Sequence, residues 1–247
     1  DTLKHIMQGH GSTDYVPPIL NDLSDIEYHM LRFLENHDEQ RIASSGFAGS
    51  AEKGKPAMVV SATSSSAPTM IYFGQEFGEA STEALGFGDA TRTSIVDYGY
   101  VQSYVRWVND KNFDGGQSTE EELALRDFYK RLLNITINSS ALVGNYRDIH
   151  AYNHQNTEWY NDKVLSFVRW SNDEQLIVIS NFNAENTYGF ELQLPKDLIK
   201  ILELKDGTYK LKDQIYNTYT SRLMVKNDRA EVRIDIKPLE SFILKIE

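Results

Sequence analysis

Cysteine is absent from the 247 residues of this chain. Its absence excludes disulfide bonds, thiolate catalysis and any zinc or iron–sulfur site that depends on cysteine ligands. It does not identify the cellular compartment, because many exported bacterial proteins also lack cysteine.

Basic residues are also few. The chain has 25 Lys and Arg against 36 Asp and Glu, which gives a formal net charge of −11 at pH 7. A nucleic-acid partner requires a basic face, and a polybasic membrane contact requires clustered Lys and Arg. No apolar run approaches the length of a transmembrane helix. We therefore expect no nucleic-acid partner and no membrane insertion.

Apolar residues, in contrast, make up 40% of the chain, and aromatic residues make up 11%. This content is sufficient for a packed core. The spacing of the apolar residues changes near residue 140, from strand and helix patterns that alternate to short stretches with a period of two. We therefore predict an α/β part over residues 1–140 and an all-β domain over residues 141–247.

In the first part, residues 28–34 form a short apolar run that ends in polar residues, and residues 69–79 form another. This pattern is typical of buried parallel strands that lead into polar loops. A further apolar stretch occupies residues 57–64. Helical patterns cover residues 14–28, weakly 40–50, and most clearly 118–138.

The predicted helix at residues 118–138 has both a start signal and an apolar stripe. Ser118 or Thr119 can cap it, and acidic residues fill its first turn. The stripe is predicted at Leu123, Phe128, Leu132 and Leu133.

After residue 140, seven short segments with turn residues between most of them predict an antiparallel sandwich or barrel. These segments are residues 163–170, 175–182, 188–194, 207–216, 221–226, 230–236 and 241–246.

One short segment, "RFLENHDEQR" at residues 32–41, concentrates candidate functional groups. His37 and Asp38 follow a predicted parallel strand, and polar residues at such strand ends often carry the chemistry of α/β folds. The same spacing also fits a structural role, in which Asp38 caps the next helix and His37 lies at the surface. Spacing alone leaves both interpretations open.

Two histidine pairs suggest metal binding without completing a site. Neither His29 with His37 nor His150 with His154 has a convincing third ligand on a regular element. We expect His150 and His154 to lie in a polar connection, and we assign no metal to this chain.

The segment with Phe33, Asn36, His37 and Asp38 resembles the fourth conserved region of the α-amylase family of glycoside hydrolases, Phe-x-x-Asn-His-Asp. Further segments resemble later parts of the same family, in the same order, over nearly the whole chain. They are residues 68–79 (eighth-strand segment), 92–98, 125–133, 163–182 and 238–246.

The resemblance implies a fold in two parts. Residues 1–140 would be the last part of a catalytic (β/α)8 TIM barrel, with its seventh and eighth strands and their helices. Residues 141–247 would be an antiparallel Greek-key β-sandwich domain. This agrees with the change of period near residue 140.

The resemblance also implies retaining cleavage or transfer at α-glucosidic bonds of starch or maltodextrin. Asp38 matches the family's third acid, which grips the sugar hydroxyls and stabilises the transition state. His37 matches the neighbouring imidazole that binds a sugar hydroxyl. Arg41 is a further substrate-binding candidate whose partner is open: it can pair with Asp38 or Glu35, or shape the sugar site.

The family's nucleophile segment, of the type Gly-x-Arg-x-Asp, and its acid/base Glu are absent from this sequence. We therefore expect the chain to be the C-terminal portion of a longer enzyme, or to associate with a separate chain that holds the rest. By itself it should not hydrolyse starch. No cofactor is evident, and the calcium common in the family would be bound largely by the missing upstream part.

The partners implied are an α-glucan and the missing N-terminal part of the enzyme. The alternative is a non-catalytic α-amylase-like module for carbohydrate binding or assembly. The resemblance to bacterial polysaccharide-degrading proteins suggests a periplasmic or extracellular location, and a cytoplasmic one stays open.

Overall fold

The computed structural model describes residues 2–82, 91–95 and 101–247, so residues 96–98 of one resembling segment lie outside it. Its α-helices are α1 (Thr2–Met7), α2 (Val16–Asp22), α3 (Gly54–Thr63), α4 (Gln102–Val108), α5 (Glu120–Asn138), α6 (His150–Asn156) and α7 (Lys196–Ile201). Among the described residues, no helix is both long and apolar enough to cross a membrane.

The C-terminal part contains eight antiparallel strands, and seven of them confirm the predicted segments. They are β1 (Asn145–Asp148), β2 (Val164–Trp170), β3 (Gln175–Asn181), β4 (Tyr188–Leu194), β5 (Gly207–Asp213), β6 (Thr220–Lys226), β7 (Arg229–Ile236) and β8 (Ser241–Ile246). β1 was not predicted.

All eight strands belong to one curled sheet, in the order β1-β2-β3-β8-β5-β6-β7-β4. β5, β6 and β7 pair as successive neighbours, and β4 lies beside β7. This is a Greek-key arrangement. The all-β prediction is therefore confirmed, with one continuous sheet in place of two separate layers.

Strands β2, β3 and β8 are buried on both faces, which explains their nearly unbroken apolar sequences. In β2, Val164 and Val168 point into the core of the β domain, together with side chains from β4 to β8. Leu165 and Phe167 point the other way, into a second core that includes α3 and α5. Successive strand residues face opposite sides, so one strand serves both cores.

The α/β part is much less regular than predicted. The predicted strands at residues 28–34 and 69–79 pair at one parallel bridge, between Arg32 and Thr69, and 3-10 helices at Glu27–His29 and Gln75–Phe77 occupy part of both ranges. Arg32 N donates to Pro68 O at 2.9 Å, and Met70 N donates to Arg32 O at 2.8 Å. Two short strands without further neighbours carry little stability. Within the described residues of this part, the partial barrel is therefore present only as this bridge and a few helices.

Two helix predictions in this part need correction. The helix predicted over residues 14–28 is split, because α2 ends at Asp22 and turns follow at residues 23–26, where Ser24 and Asp25 are typical turn residues. The weak helix at residues 40–50 is wrong, because these residues form turns. The apolar stretch at residues 57–64 lies almost entirely in α3, which is buried on all sides and therefore has no polar stripe.

The long helix α5 confirms its prediction, and Thr119 is its cap. The Thr119 side chain accepts a hydrogen bond from Glu122 N, and the Glu122 carboxylate accepts one from Thr119 N. The buried stripe is Leu125, Phe128, Tyr129 and Leu132. Of the predicted stripe, Phe128 and Leu132 are therefore correct, whereas Leu123 is exposed and Leu133 is half-buried.

The domain boundary at residue 140 stays a prediction. The change from helices to strands falls near it, since α5 ends at Asn138 and β1 starts at Asn145. The second core, however, contains side chains from both sides of it.

Candidate functional site

The segment at residues 32–41 begins at the parallel bridge and leads into an exposed turn. Leu34 and Glu35 are buried directly after the bridge. The Asn36 side-chain oxygen then accepts hydrogen bonds from Asp38 N at 2.9 Å and Glu39 N at 2.8 Å. Asn side chains commonly fold the following backbone into such a turn. This turn holds His37 and Asp38 away from the core.

His37 and Asp38 are both accessible. Their side chains are 52% and 71% exposed, and His37 Nε2 lies 3.3 Å from Asp38 Oδ2. The next helix, α3, begins at Gly54 with Lys53 as its N-cap. The alternative in which Asp38 caps the following helix is therefore wrong, and its carboxylate is free to meet a ligand.

Arg41 occupies a different position, because its side chain is fully buried. Its Nη1 donates to Glu35 Oε2 at 2.8 Å. The sequence left Asp38 and Glu35 open as partners of Arg41, and the structure shows Glu35. Glu35 Oε1 also accepts a hydrogen bond from Ile42 N at 2.6 Å. Burial raises the pKa of Glu35, while the Arg41 guanidinium and the Ile42 N–H oppose that change. The role of Arg41 as a substrate-binding residue stays a prediction.

The contacts of Arg41 join three segments that carry the family resemblance. Besides Glu35, its guanidinium donates to Phe73 O at 2.8 Å and to Thr93 Oγ1 at 3.1 Å. It also lies 4.5 Å from the centre of the Tyr72 ring, a cation–π contact. Residues 32–41, residues 68–79 and Thr93, which are apart in the sequence, therefore meet at one buried cation.

Two glycines of residues 68–79 have structural roles. Gly74 and Gly78 flank the 3-10 helix Gln75–Phe77 with φ angles of +87° and +75°, where residues with a Cβ are strained. A Cβ at Gly78 would also lie 2.9 Å from Ala51 Cβ. Gln75 links this turn to α5 by donating to Tyr129 Oη at 3.1 Å. Residues 68–79 thus connect the site to helix α5.

A second cluster of functional groups could not be recognised from the sequence, which showed no third partner for its two histidines. His150 and His154 lie on α6, not in an irregular connection, and both contact Asp14. The sequence did contain one signal for this cluster. His150 and His154 are four residues apart, and this spacing puts two side chains on one face of a helix. The third residue, Asp14, is 136 positions away from His150, and no local pattern connects them.

A family model described as the α-amylase C-terminal all-β domain matches residues 154–247. This range covers β2 to β8 and the end of α6. A search of the curated proteins finds no match to the chain.

Solved structures share the fold of the entire chain. A variant of AmyP in complex with maltotriose is 19% identical with a TM-score of 0.64, over 100% of this chain and 49% of that one. The noncanonic maltogenic α-amylase AmyB from Thermotoga neapolitana is 18% identical with a TM-score of 0.59, over 98% and 47%. The γ-CGTase from alkalophilic Bacillus clarkii is 17% identical with a TM-score of 0.62, over 100% and 31%.

The chain thus spans about half, or less, of the length of these structures. The family model, the shared fold and the ordered segments agree with one another. Residues 154–247 thus match the C-terminal all-β domain of α-amylases, and the fold of the whole chain is similar to the corresponding portion of solved α-amylase family enzymes.

Proposed function

We propose that this chain is the C-terminal segment of a retaining glycosidase that acts on α-glucosidic bonds of starch or maltodextrin. Within it, Asp38 is the carboxylate that stabilises the transition state. The observation that carries the proposal is the exposed Asn36–His37–Asp38 turn, which follows the parallel bridge at Arg32. A neighbouring structure that contains maltotriose supports the substrate class.

The chemistry proposed for Asp38 is electrostatic. Retaining cleavage proceeds through an oxocarbenium-like transition state, in which positive charge develops on the sugar ring. A fixed carboxylate that accepts hydrogen bonds from the sugar hydroxyls favours this state more than the neutral ground state. His37, 3.3 Å from Asp38, is placed to donate a hydrogen bond to a neighbouring hydroxyl. The buried Arg41–Glu35 pair supports the turn from the core side.

The nucleophile and the acid/base would come from a further segment, either upstream in a longer polypeptide or in a separate chain. The surface over residues 15–33 supports this part of the proposal, because large apolar side chains cluster there while being at least 40% exposed. They are Tyr15, Ile19, Ile26, Tyr28, Leu31 and Phe33. Exposed large apolar side chains concentrated in one segment are what an interface with another segment would cover. The part of the neighbouring structures that this chain lacks is the segment that would cover this surface.

The test measures reducing-sugar release from starch by the intact protein, meaning this chain together with the segment that supplies the nucleophile. Asp38→Asn removes the charge but keeps the shape of the side chain. We expect kcat/KM to fall by about 10²–10³-fold, as is usual when one electrostatic stabiliser is lost. Asp173→Asn is the matched control, because Asp173 is an exposed Asp of the turn between β2 and β3, away from residues 15–41, and the activity of this variant should stay within about twofold.

The 247-residue chain alone should release no reducing sugar. Activity of the isolated chain that Asp38→Asn abolishes would contradict the division of the site between two segments. If the intact protein binds maltodextrin but cleaves none, the chain is a carbohydrate-binding or assembly module. An intact protein that is active and indifferent to Asp38→Asn would sink the role given to Asp38.

A further inference from the structure

Asp14, His150 and His154 form a compact cluster at the contact between the N-terminal segment and the β domain. Asp14 Oδ1 lies 2.8 Å from His150 Nε2 and 2.7 Å from His154 Nδ1. Each residue offers one ligand atom, and these atoms all lie within 4.8 Å of one another. Two imidazole nitrogens and one carboxylate oxygen therefore converge on one point.

The backbone holds the three side chains in place. His150 and His154 are one helical turn apart on α6, so their rings share a face. On the other side, Thr13 anchors the segment of Asp14 to the β domain: Thr13 N donates to Asp162 O at 3.0 Å, and Thr13 Oγ1 donates to Val164 O at 2.9 Å. The cluster is thus preorganised by groups outside it.

Asp14 is also oriented at its second oxygen. Ser12 Oγ donates to Asp14 Oδ2 at 2.9 Å, which directs Oδ1 to the two imidazoles. Burial raises the pKa of Asp14, but the hydrogen bonds from His150, Ser12 and His154 outweigh it, so the pKa lies below its usual value. Metal binding would displace the imidazole N–H donors from Oδ1 and place the ion between these three ligand atoms.

His150 has a buried partner on its other ring nitrogen. The side chain is 1% exposed, and its Nδ1 lies 3.0 Å from Tyr160 Oη, which lies 2.9 Å from Ser166 Oγ. Burial raises the pKa of Tyr160 well above its usual value, so the phenol keeps its proton. It can accept from His150 Nδ1–H and donate to Ser166. A hydrogen-bond partner such as Tyr160 holds a metal-binding histidine in the tautomer whose other ring nitrogen is free to bind the metal.

We propose that Asp14, His150 and His154 bind one zinc-type divalent transition metal ion, with a fourth position open to water. Two imidazoles with one carboxylate suit Zn²⁺, whereas Ca²⁺ and Mg²⁺ select oxygen ligands. Asp14 and His154 are 44% and 37% exposed, which leaves the fourth position accessible. Ligands of a tetrahedral ion lie about 3.3 Å apart, so shifts of less than about 1 Å convert the present contacts into coordination.

Such an ion would clip together parts of the chain that are far apart in sequence. Asp14 belongs to the N-terminal segment, and α6 precedes the strands β2 to β8 of the β domain. Because the unfolded chain does not preform the site, bound metal stabilises the folded state in proportion to the logarithm of its concentration. This inference does not depend on the proposed glycosidase function.

The experiment titrates the EDTA-treated 247-residue chain with ZnCl₂ by calorimetry at about pH 7.5, and with CoCl₂ by visible absorption. We expect one equivalent of Zn²⁺ to bind, and the Co²⁺ complex to have the intense bands of tetrahedral coordination. CaCl₂ should not bind at the site. Zn²⁺ should also raise the Tm of the chain.

His154→Gln and Asp14→Asn should each weaken Zn²⁺ binding by about 100-fold or more, and both positions are exposed enough for the variants to fold. His29→Gln is the matched control, since His29 is an exposed histidine outside the cluster, and it should bind as the unchanged chain does. The proposal is overturned if no Zn²⁺ binds, which would leave a purely hydrogen-bonded cluster, or if binding is the same in His154→Gln and His29→Gln.

Discussion

The burial of Arg41 is evident in the structure but could not be predicted from the sequence. Arg41 lies three positions after Asp38 in a segment of charged residues, and nothing local distinguishes an exposed guanidinium from a buried one. Only the fold brings Glu35, Phe73 and Thr93 around it. Asp38 could be proposed as a site residue because its motif is contiguous, whereas the environment of Arg41 is assembled from three distant segments.

Breaking the pair between Arg41 and Glu35 should destabilise the protein strongly. Arg41→Ala leaves the Glu35 carboxylate buried without its cation, which costs about 3–5 kcal/mol in the free energy of unfolding. Denaturant titration of the chain measures this loss. Arg222→Ala on β6 is the control, because Arg222 is exposed, and its change should be within about 0.5 kcal/mol. A loss below about 1 kcal/mol for Arg41→Ala would mean that the pair is not a structural support.

At the scale of elements, the strands of the β domain were predictable and the helices of the N-terminal part largely were not. Strands β4 to β7 alternate buried and exposed residues, and turn residues separate most strands of the domain, so each segment carries its own signal. Helix α3 carries none, because all but one of its residues are buried and its apolar run fits a strand equally well. The parallel strands at residues 28–34 and 69–79 are reduced to one bridge, since strand structure depends on neighbours.

Helix α5 permits a direct comparison of the two residues that were equally good caps by sequence. Thr119→Ala removes the side-chain oxygen that accepts from Glu122 N, and should lower the free energy of unfolding by about 1 kcal/mol. Ser118→Ala alters a side chain that takes no part in the capping box, and should cost less than half as much. Urea denaturation of both variants checks this order. Equal losses, or a larger one for Ser118→Ala, would be inconsistent with Thr119 as the cap.

At the scale of the whole molecule, two features join the N-terminal part to the β domain. Strands β2, β3 and β8 share a core with α3 and α5, and Asp14 contacts both histidines of α6. The exposed apolar side chains of residues 15–33 lie in the N-terminal part, which is the part that resembles the end of a barrel. The molecule thus has a β domain packed against an N-terminal part that, on the proposed function, another segment completes.

The central claim is that this chain supplies a stabilising carboxylate to a site whose nucleophile lies elsewhere. Retaining glycosidases form a covalent glycosyl–enzyme intermediate, which a fluorinated α-glucosyl fluoride can accumulate. The decisive measurement treats the intact protein with such a reagent and locates the labelled peptide by mass spectrometry. We predict a label on a carboxylate outside the 247 residues, and none on Asp38. A label on Asp38 or on any other carboxylate of this chain would contradict the claim, and so would an intact protein that forms no labelled intermediate.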